Sequence, residues 1–175
     1  MQSGENIDID DGLLVADDET DEESENKHLL FQIGDEEYGV RIDRVQSIEE
    51  MLRVVAIPDM PDYVRGVINL RGAIVPVIEL RLRFGMEHRD YDDRTCIIII
   101  RGASRMVGFI VDSVREVHPI PAAHIQPAPE FTGVGGTEQF VTGLGTVEGE
   151  VKILLDIDRL MRNEDLPEEA LNLTG

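Results

Sequence analysis

From residue 27 onward, apolar residues come in short runs, broken every few positions by Gly, Pro or Asp. "HLLFQI", "EYGVRI", "VINL", "AIVPVIEL", "TCIIIIR", "MVGFIVDSV", "FVTGLGTV" and "EVKILLDI" read as β-strands, rich in β-branched residues and bounded by turn formers. "VQSI", residues 45–48, alternates apolar and polar and reads as a half-buried strand. "GDEE", "LRG", "GASR" and "EGE" read as turns. Pro76 has no backbone N–H, which places its strand at a sheet edge or Pro76 at a bulge. Helical periodicity is weak until "IDRLMRNEDLPEEALNL", where Leu160 and Met161 suggest one short C-terminal helix and Pro167 breaks or restarts it. The fold class is mainly β.

The pattern repeats. Gly39, Asp43, Val45 and Ile48 are matched by Gly108, Asp112, Val114 and Val117, each 69 positions later. Val64, Gly66, Gly72 and Glu79 are matched by Val141, Gly143, Gly149 and Asp156, each 77 positions later. The Gly-rich "FTGVGGTEQF" absorbs the extra eight residues. Two blocks in the same order point to an internal duplication, with two related halves of about five strands each. Small closed barrels of that size remove free strand edges. Each has too little core to stand alone, so the two should pack together.

Charge divides the chain differently. The net charge is -20, but residues 1–26 hold 11 Asp or Glu and no Lys or Arg, and residues 164–175 add four more acids. The 21 acids between them face 16 bases, an ordinary balance for a folded domain. The expected organisation is therefore an acidic, disordered N-terminal arm (1–26), a β domain (27–163) and an acidic tail or short helix (164–175). A chain of this sign repels phosphate backbones, and with no Trp and few aromatics it offers no base-stacking platform, so nucleic acid is an unsuitable partner. No apolar run approaches a membrane span, and no basic residues precede an apolar stretch at the N-terminus. The expectation is a soluble, cytoplasmic protein without membrane insertion. The single cysteine, Cys96, excludes an internal disulfide and reads as a small buried hydrophobe.

Candidate chemistry is sparse. "DIDDG" has the wrong Asp spacing for a calcium loop. There is no Gly-x-Ser-x-Gly elbow and no phosphate loop. His28, His88, His118 and His124 lack ligand spacing and have no cysteine nearby, and His118 and His124 read as exposed loop residues around "PIPAA". No enzyme, metal or cofactor is expected.

"VRGVINLRGAIVPVIEL" stands out instead. It reads as a hairpin in which Gly72 takes a positive φ. The repeat-mate of Arg71 is Glu148, so turn geometry alone does not demand arginine. An arginine on a rigid turn beside strands suits a protein partner. Val45 or Ile48 would line an apolar groove beside it.

In order along the chain, "LLFQIGDEEYGVRIDRVQSI", "IPDMPDYVRGVINLRGAIVPVIELRLRFG", "IIIIRGASRMVGFIVDSVREV", "IQPAPEF" and "VTGLGTVEGEVKILLDIDRLM" resemble the CheW family of bacterial chemotaxis adaptors. The resemblance covers roughly Lys27 to Arg162 and rests most heavily on Gly-x-x-Asn-x-Arg-Gly. It implies two packed five-stranded SH3-like barrels and a protein without catalytic activity. Such a protein couples chemoreceptor cytoplasmic tips to the histidine kinase CheA, pairing with a homologous CheA domain in arrays at the inner face of the membrane. It places Arg71, Asn69, Val45 and Ile48 at a receptor-binding groove. Gly66, Gly72, Gly108 and Asp112 fall to turn shaping or to the kinase or receptor interface. Ser47 departs from the pattern, because relatives often carry an acid there; Glu49 and Glu50 follow closely. The alternatives are an adaptor of a non-flagellar chemosensory pathway and, in a different class, a small β-barrel ligand-binding protein. A CheV-type protein fits less well, because 175 residues leave no room for a receiver domain.

Overall fold

The computed structural model of the chain describes residues 26–102, 104–128 and 139–161. All of the expected acidic arm except Asn26, and all of the tail, lie outside these residues, as does Pro167. Among the described residues eleven strands form: β1 (Lys27–Ile33), β2 (Glu36–Arg41), β3 (Val45–Glu50), β4 (Val64–Leu70), β5 (Ala73–Glu79), β6 (Cys96–Arg101), β7 (Met106–Val111), β8 (Ser113–Pro119), β9 (Ile125–Pro127), β10 (Val141–Val147) and β11 (Glu150–Leu155). Two four-residue helices follow β5 and β11: α1 (Leu80–Arg83) and α2 (Ile157–Leu160). The protein is mainly β, as the pattern implies. The C-terminal helix forms but ends before Met161, and α1 was not legible in the sequence.

One sheet runs β3-β6-β7-β5-β4 and the other β8-β1-β2-β11-β10-β9. Under the repeat, β1 to β5 correspond to β6, β7, β8, β10 and β11, and the strand orders then coincide. The sequence halves are not themselves the two barrels, however. Each half places its first hairpin in the other half's sheet: β1 and β2 pair with β8 and β11, and β6 and β7 pair with β3 and β5. The register follows the repeat. Val77 lies opposite Gly108 in one sheet, and Leu154 opposite Gly39 in the other. The sixth strand, β9, also has a counterpart, the isolated bridge between Val55 and Val67 on the outer edge of β4. Five strands against six thus reflects one bridging residue against three.

Three apolar clusters account for the hydrophobic pattern. A large one takes buried residues from both sheets, among them Leu29, Phe31, Ile78, Ile98, Ile100 and Phe109. Each sheet also encloses its own: Ile68, Leu70, Val75, Val77, Ile97, Ile99 and Ile110 in one, and Leu30, Ile120, Val147 and Leu154 in the other. The run of four isoleucines in β6 needs no interruption, because successive side chains alternate between the shared core and the private one. Seven and four buried residues are too few for independent barrels, and the shared core makes the two one unit.

Two expectations change. "MVGFIVDSV" is two strands that turn at Asp112 and enter different sheets. Pro76 is neither on an edge strand nor at the bulge, since β5 lies between β7 and β4 and the register shift falls between Val64 and Gly66. It fits because its β4 partner, Val67, spends both backbone groups on Val55, and the parallel ladder with β7 begins one residue later, at Val77.

Candidate functional site: the Asn69–Gly72 hairpin and its surroundings

Leu70 pairs with Ala73, leaving Arg71 and Gly72 as a two-residue hairpin loop. Their φ angles are 52° and 92°. Positive φ at both positions is what a type I′ turn requires, and it matches the twist of the flanking strands. Gly72 was expected to adopt it; Arg71 was not. A left-handed conformation costs an ordinary L-residue about 1 kcal/mol or more. The side chain of Asn69 supports the turn, its Oδ1 accepting a hydrogen bond from the Gly72 N–H at 2.8 Å.

The Arg71 side chain is 72% exposed and reaches Oε2 of Glu49 with Nη1 at 3.3 Å. The Ser47 hydroxyl donates to the same carboxylate oxygen at 2.8 Å. Glu49 stands two residues beyond Ser47 on β3, so both project from one face. The acid opposite Arg71 is therefore Glu49, held by Ser47. This contact also joins the two ends of the strand order, from β3 to the β4–β5 turn, so the sheet curls on itself. An ion pair this exposed contributes at most about 1 kcal/mol, so it orients Arg71 more than it stabilises the fold.

On β3, Val45 lies opposite Ile100 and Ser47 opposite Ile99, leaving Gln46 as a bulge. The bulge puts Val45 and Ile48 on one face although they are three residues apart. Both point to the shared core, Val45 at 3% exposure within it and Ile48 half-buried at its margin. Ile48 keeps accessible surface; Val45 has almost none.

Gly66 has a different duty from the turn. The connection from β3 to β4 crosses it, held by Val55 and Val67 exchanging backbone hydrogen bonds of 2.8 and 2.9 Å. A Cβ on Gly66, whose φ is 141°, would stand 2.0 Å from the Val55 carbonyl oxygen. Gly108 is buried in β7, where a Cβ would come within 2.8 Å of Ile97. Asp112 is a clamp. Its carboxylate accepts two 2.9 Å hydrogen bonds from Arg81 on α1 and one of 2.8 Å from the Gly34 N–H in the β1–β2 turn. Burial alone would raise its pKa, but the Arg81 and Gly34 hydrogen bonds outweigh that and hold it below the usual carboxylate range. Gly66, Gly108 and Asp112 thus shape the backbone away from the Arg71 side chain.

Sequence reading missed two further polar clusters. Glu79, 1% exposed, accepts from the Tyr91 hydroxyl at 2.7 Å, lies 2.9 Å from Nδ1 of His88 and pairs with Arg65 at 3.5 Å. The hairpin turn of the second half, with its surroundings, is the other. Glu148 and Gly149 repeat the positive φ of Arg71 and Gly72, at 51° and 82°. Glu148 lines a groove of about 630 Å³ together with His118, His124 and Gln126. His118 lies half-buried in β8 rather than in a loop, and His124 is exposed. The offsets of 69 and 77 were the available signal, since they pair Glu49 with His118 as well as Arg71 with Glu148. Among the described residues no group of His, Cys, Asp or Glu could hold a metal ion, and no helix is long and apolar enough to cross a membrane.

Comparison with known proteins agrees with this geometry. The family model for the CheW-like domain matches residues 27–165. The chain is 42% identical over 138 residues to the chemotaxis protein CheW of Klebsiella aerogenes, covering 79% of this chain and 82% of that one. It is 33% identical over 137 residues to CheW of Rhizobium meliloti, covering 78% and 88%. Among solved structures, the scaffolding protein TtCheW from Thermoanaerobacter tengcongensis superimposes with a TM-score of 0.69 at 35% identity, covering 74% of this chain and 88% of that one. A match that spans the duplicated strands, both cores and the Asn69–Gly72 hairpin shows that the chain belongs to the CheW family of chemotaxis proteins.

Proposed function

We propose that this chain is a non-enzymatic adaptor that couples the cytoplasmic tips of chemoreceptors to the histidine kinase CheA, in arrays at the inner face of the membrane. The observation that carries this reading is the arginine turn. A CheW-family chain keeps Arg71 in a strained left-handed conformation, 72% exposed, on a hairpin locked by Asn69 and Gly72. The matching turn of the second half holds Glu148 in the same conformation, so the cation at this position, rather than the backbone, is what suits a protein partner. In this reading the receptor tip lies against Arg71, Asn69 and Ile48, with Val45 anchoring that strand in the core. A rigid double barrel holds its partners in fixed register, and signalling is a shift in the population of kinase states. The folded adaptor is residues 27–163, and the acidic arm (1–26) and tail (164–175) are appendages to it.

The test is co-sedimentation of the full chain with CheA and a receptor cytoplasmic fragment. Arg71→Asp should weaken receptor binding while changing stability by no more than about 0.5 kcal/mol. Normal receptor binding by that variant, or kinase activity that stays uncoupled from receptor when the wild-type chain is present, would sink the reading.

A further inference from the structure

The two barrels end differently at one pair of corresponding mouths. In the first, Ile97 and Ile110 are buried in the private core. Their repeat-mates, 69 positions earlier, are His28 and Arg41. His28 faces the equivalent interior, since a Cβ on Gly39 would meet Leu154, Leu30 and His28 together. The second private core thus gives way to polar side chains at this end. A cavity of about 380 Å³ opens there, with His28, Arg44, Ile125, Thr142 and Leu154 in its wall. Arg41, Asp156 and Asp158 also border it, and they are the repeat-mates of Ile110, Glu79 and Arg81. Those three border a space of only about 10 Å³ in the first barrel. What closes that space is the segment after α1. Arg89, Asp90 and Tyr91 line it, and the Tyr91 hydroxyl donates to Glu79 at 2.7 Å.

The sequence continues past α2 as it does past α1. The offset of 77 carries Leu80 to Ile157, both buried, and carries Arg89, Asp90 and Tyr91 to Leu166, Pro167 and Glu168. "NEDLPEEALNLTG", residues 163–175, holds four acids and no Lys or Arg. The second mouth suits it. Arg41 pairs with Asp43 at 2.6 Å, Arg44 with Asp158 at 2.8 Å and Arg159 with Asp156 at 3.5 Å, and Arg101 adds a fourth cation beside Arg44. Four arginines against three aspartates make this surface locally cationic on a chain of net charge -20. The chain also leaves α2 on this side, since a Cβ on Gly102, next to Arg101, would touch Met161. We propose that the chain folds back after α2 and covers the mouth of the second barrel, with Leu166 in the cavity against Ile125 and Leu154 and Glu168 against Arg41. The signs reverse those of the first barrel, where the covering segment brings a donor to a buried acid. A short tether keeps the segment at high effective concentration, so a modest contact suffices. The tail is then an appendage that returns to the domain it leaves. This inference rests on the duplication and the cavity, not on the receptor reading.

The experiment is NMR on the full chain, labelled at methyl groups and backbone amides, at low and high salt. The Leu166 methyls should give NOEs to the methyls of Ile125 and Leu154. The backbone amides on either side of Pro167 should give heteronuclear NOEs as high as those of β11, and high salt should lower them by screening Glu168 from Arg41. Leu166→Asp should lose both signals. Arg41→Glu should lower the heteronuclear NOEs by placing like charges together, and adding Glu168→Arg should restore them, which a damaged fold could not do. Unshifted amides in the first barrel show that each variant is folded. The proposal is overturned if Leu166 makes no contact with the cavity methyls, if the tail amides of wild type are as mobile as those of Leu166→Asp, or if the double variant does not recover. Cavity NOEs from Leu13, Leu14 or Val15 would make the acidic arm the occupant, since it enters β1 beside His28, and would equally overturn it. None of these signals involves Arg71, so they stand or fall separately from receptor co-sedimentation.

Discussion

The Arg71–Gly72 and Glu148–Gly149 hairpins share a backbone and differ in charge. Both place a non-glycine residue and then a glycine at positive φ, both join strands in equivalent sheet positions, and both strands entering them carry a register shift at a glycine. A duplicated fold thus controls for its own geometry. What the two copies share is required for the barrel to close, and what differs is free to serve partners. The strain is common to both, so strain alone does not mark arginine; the sign of the charge does. The same logic extends to Gly66 with Gly143 and to Asp112 with Asp43, where breaking one member of a pair reads what the other does not need.

The largest effect should come from the glycines. A Cβ at Gly66 would sit 2.0 Å from the Val55 carbonyl oxygen and 2.9 Å from the Ala56 Cα, whereas one at Gly143 would meet the Gln126 carbonyl oxygen at 3.0 Å. The crossing segment in the first barrel must therefore lift off β4, while in the second it need give only a few tenths of an ångström. Gly66→Ala should cost about 3 kcal/mol or more, and Gly143→Ala about 1 kcal/mol. Urea denaturation of the two variants checks this, and equal losses would show that the crossing is not what demands Gly66.

Next comes the clamp. Asp112 and Arg81 are 12% and 15% exposed as side chains, while the repeat-mate Asp43 pairs with Arg41 at 42% and 51%. Removing Asp112 strands Arg81 and releases the β1–β2 turn, so Asp112→Ala should cost about 3 kcal/mol. Asp43→Ala should cost less than about 0.5 kcal/mol. The pH dependence has a definite sign. The folded Asp112 carboxyl lies below its ordinary value, so its stabilisation is present above the unfolded pKa of about 4 and is lost as pH falls through the folded one. Thermal melts of Asp112→Asn below pH ~4 should therefore show a shallower acid slope than wild type.

These contrasts also show what the sequence could carry. Strand positions, the duplication and the hairpin were legible because each is written locally, in period-two apolar runs and in glycines at fixed offsets. The exchange of first hairpins between sheets was not, because β1 pairs equally well by pattern with any strand of matching period, and only the shared core decides. Asp112 was visible as a repeat position, but its partner Arg81 lies 31 residues away with no spacing rule to connect them. Four residues are too short for a helical period to register, so α1 was invisible. Pro76 misled because its neighbour Val67 had already turned its hydrogen bonds outward to a segment that reads as loop. The Gln46 bulge hid the common face of Val45 and Ile48, which regular alternation assigns to opposite sides.

A smaller effect separates strain from service at the two turns. Asn tolerates the left-handed conformation better than Arg or Glu, and Asn-Gly is the preferred type I′ pair. Arg71→Asn and Glu148→Asn should each stabilise by up to about 1 kcal/mol, which is about 2–4 °C in Tm for a chain of this size. The stability gains should match because the backbones match. Receptor co-sedimentation should not: Arg71→Asn should lose it and Glu148→Asn keep it. Unequal gains in Tm would mean that the Glu49 ion pair stabilises the first turn after all.

The smallest effect lies beneath the hairpins, where Glu79 and Asp156 are repeat-mates at the starts of α1 and α2. Asp156 is half-buried and caps its helix, its Oδ1 accepting from the Arg159 N–H at 3.2 Å. Glu79 is buried and turns instead to Tyr91 and His88, tying the segment after α1 to the barrel. Burial, together with the hydrogen bond to Glu79, pushes the Tyr91 hydroxyl up to about 12. A group whose folded pKa is raised stabilises the protein fully below its unfolded pKa, about 10 for tyrosine, and loses that contribution as pH climbs toward the folded value. Wild type should therefore lose melting temperature between pH ~10 and ~12 in part through Tyr91. Tyr91→Phe should start lower near neutral pH, where the hydrogen bond to Glu79 is missing, and then fall less steeply over that alkaline window. Parallel curves would place the proton elsewhere and leave Glu79 held by His88 and Arg65 alone.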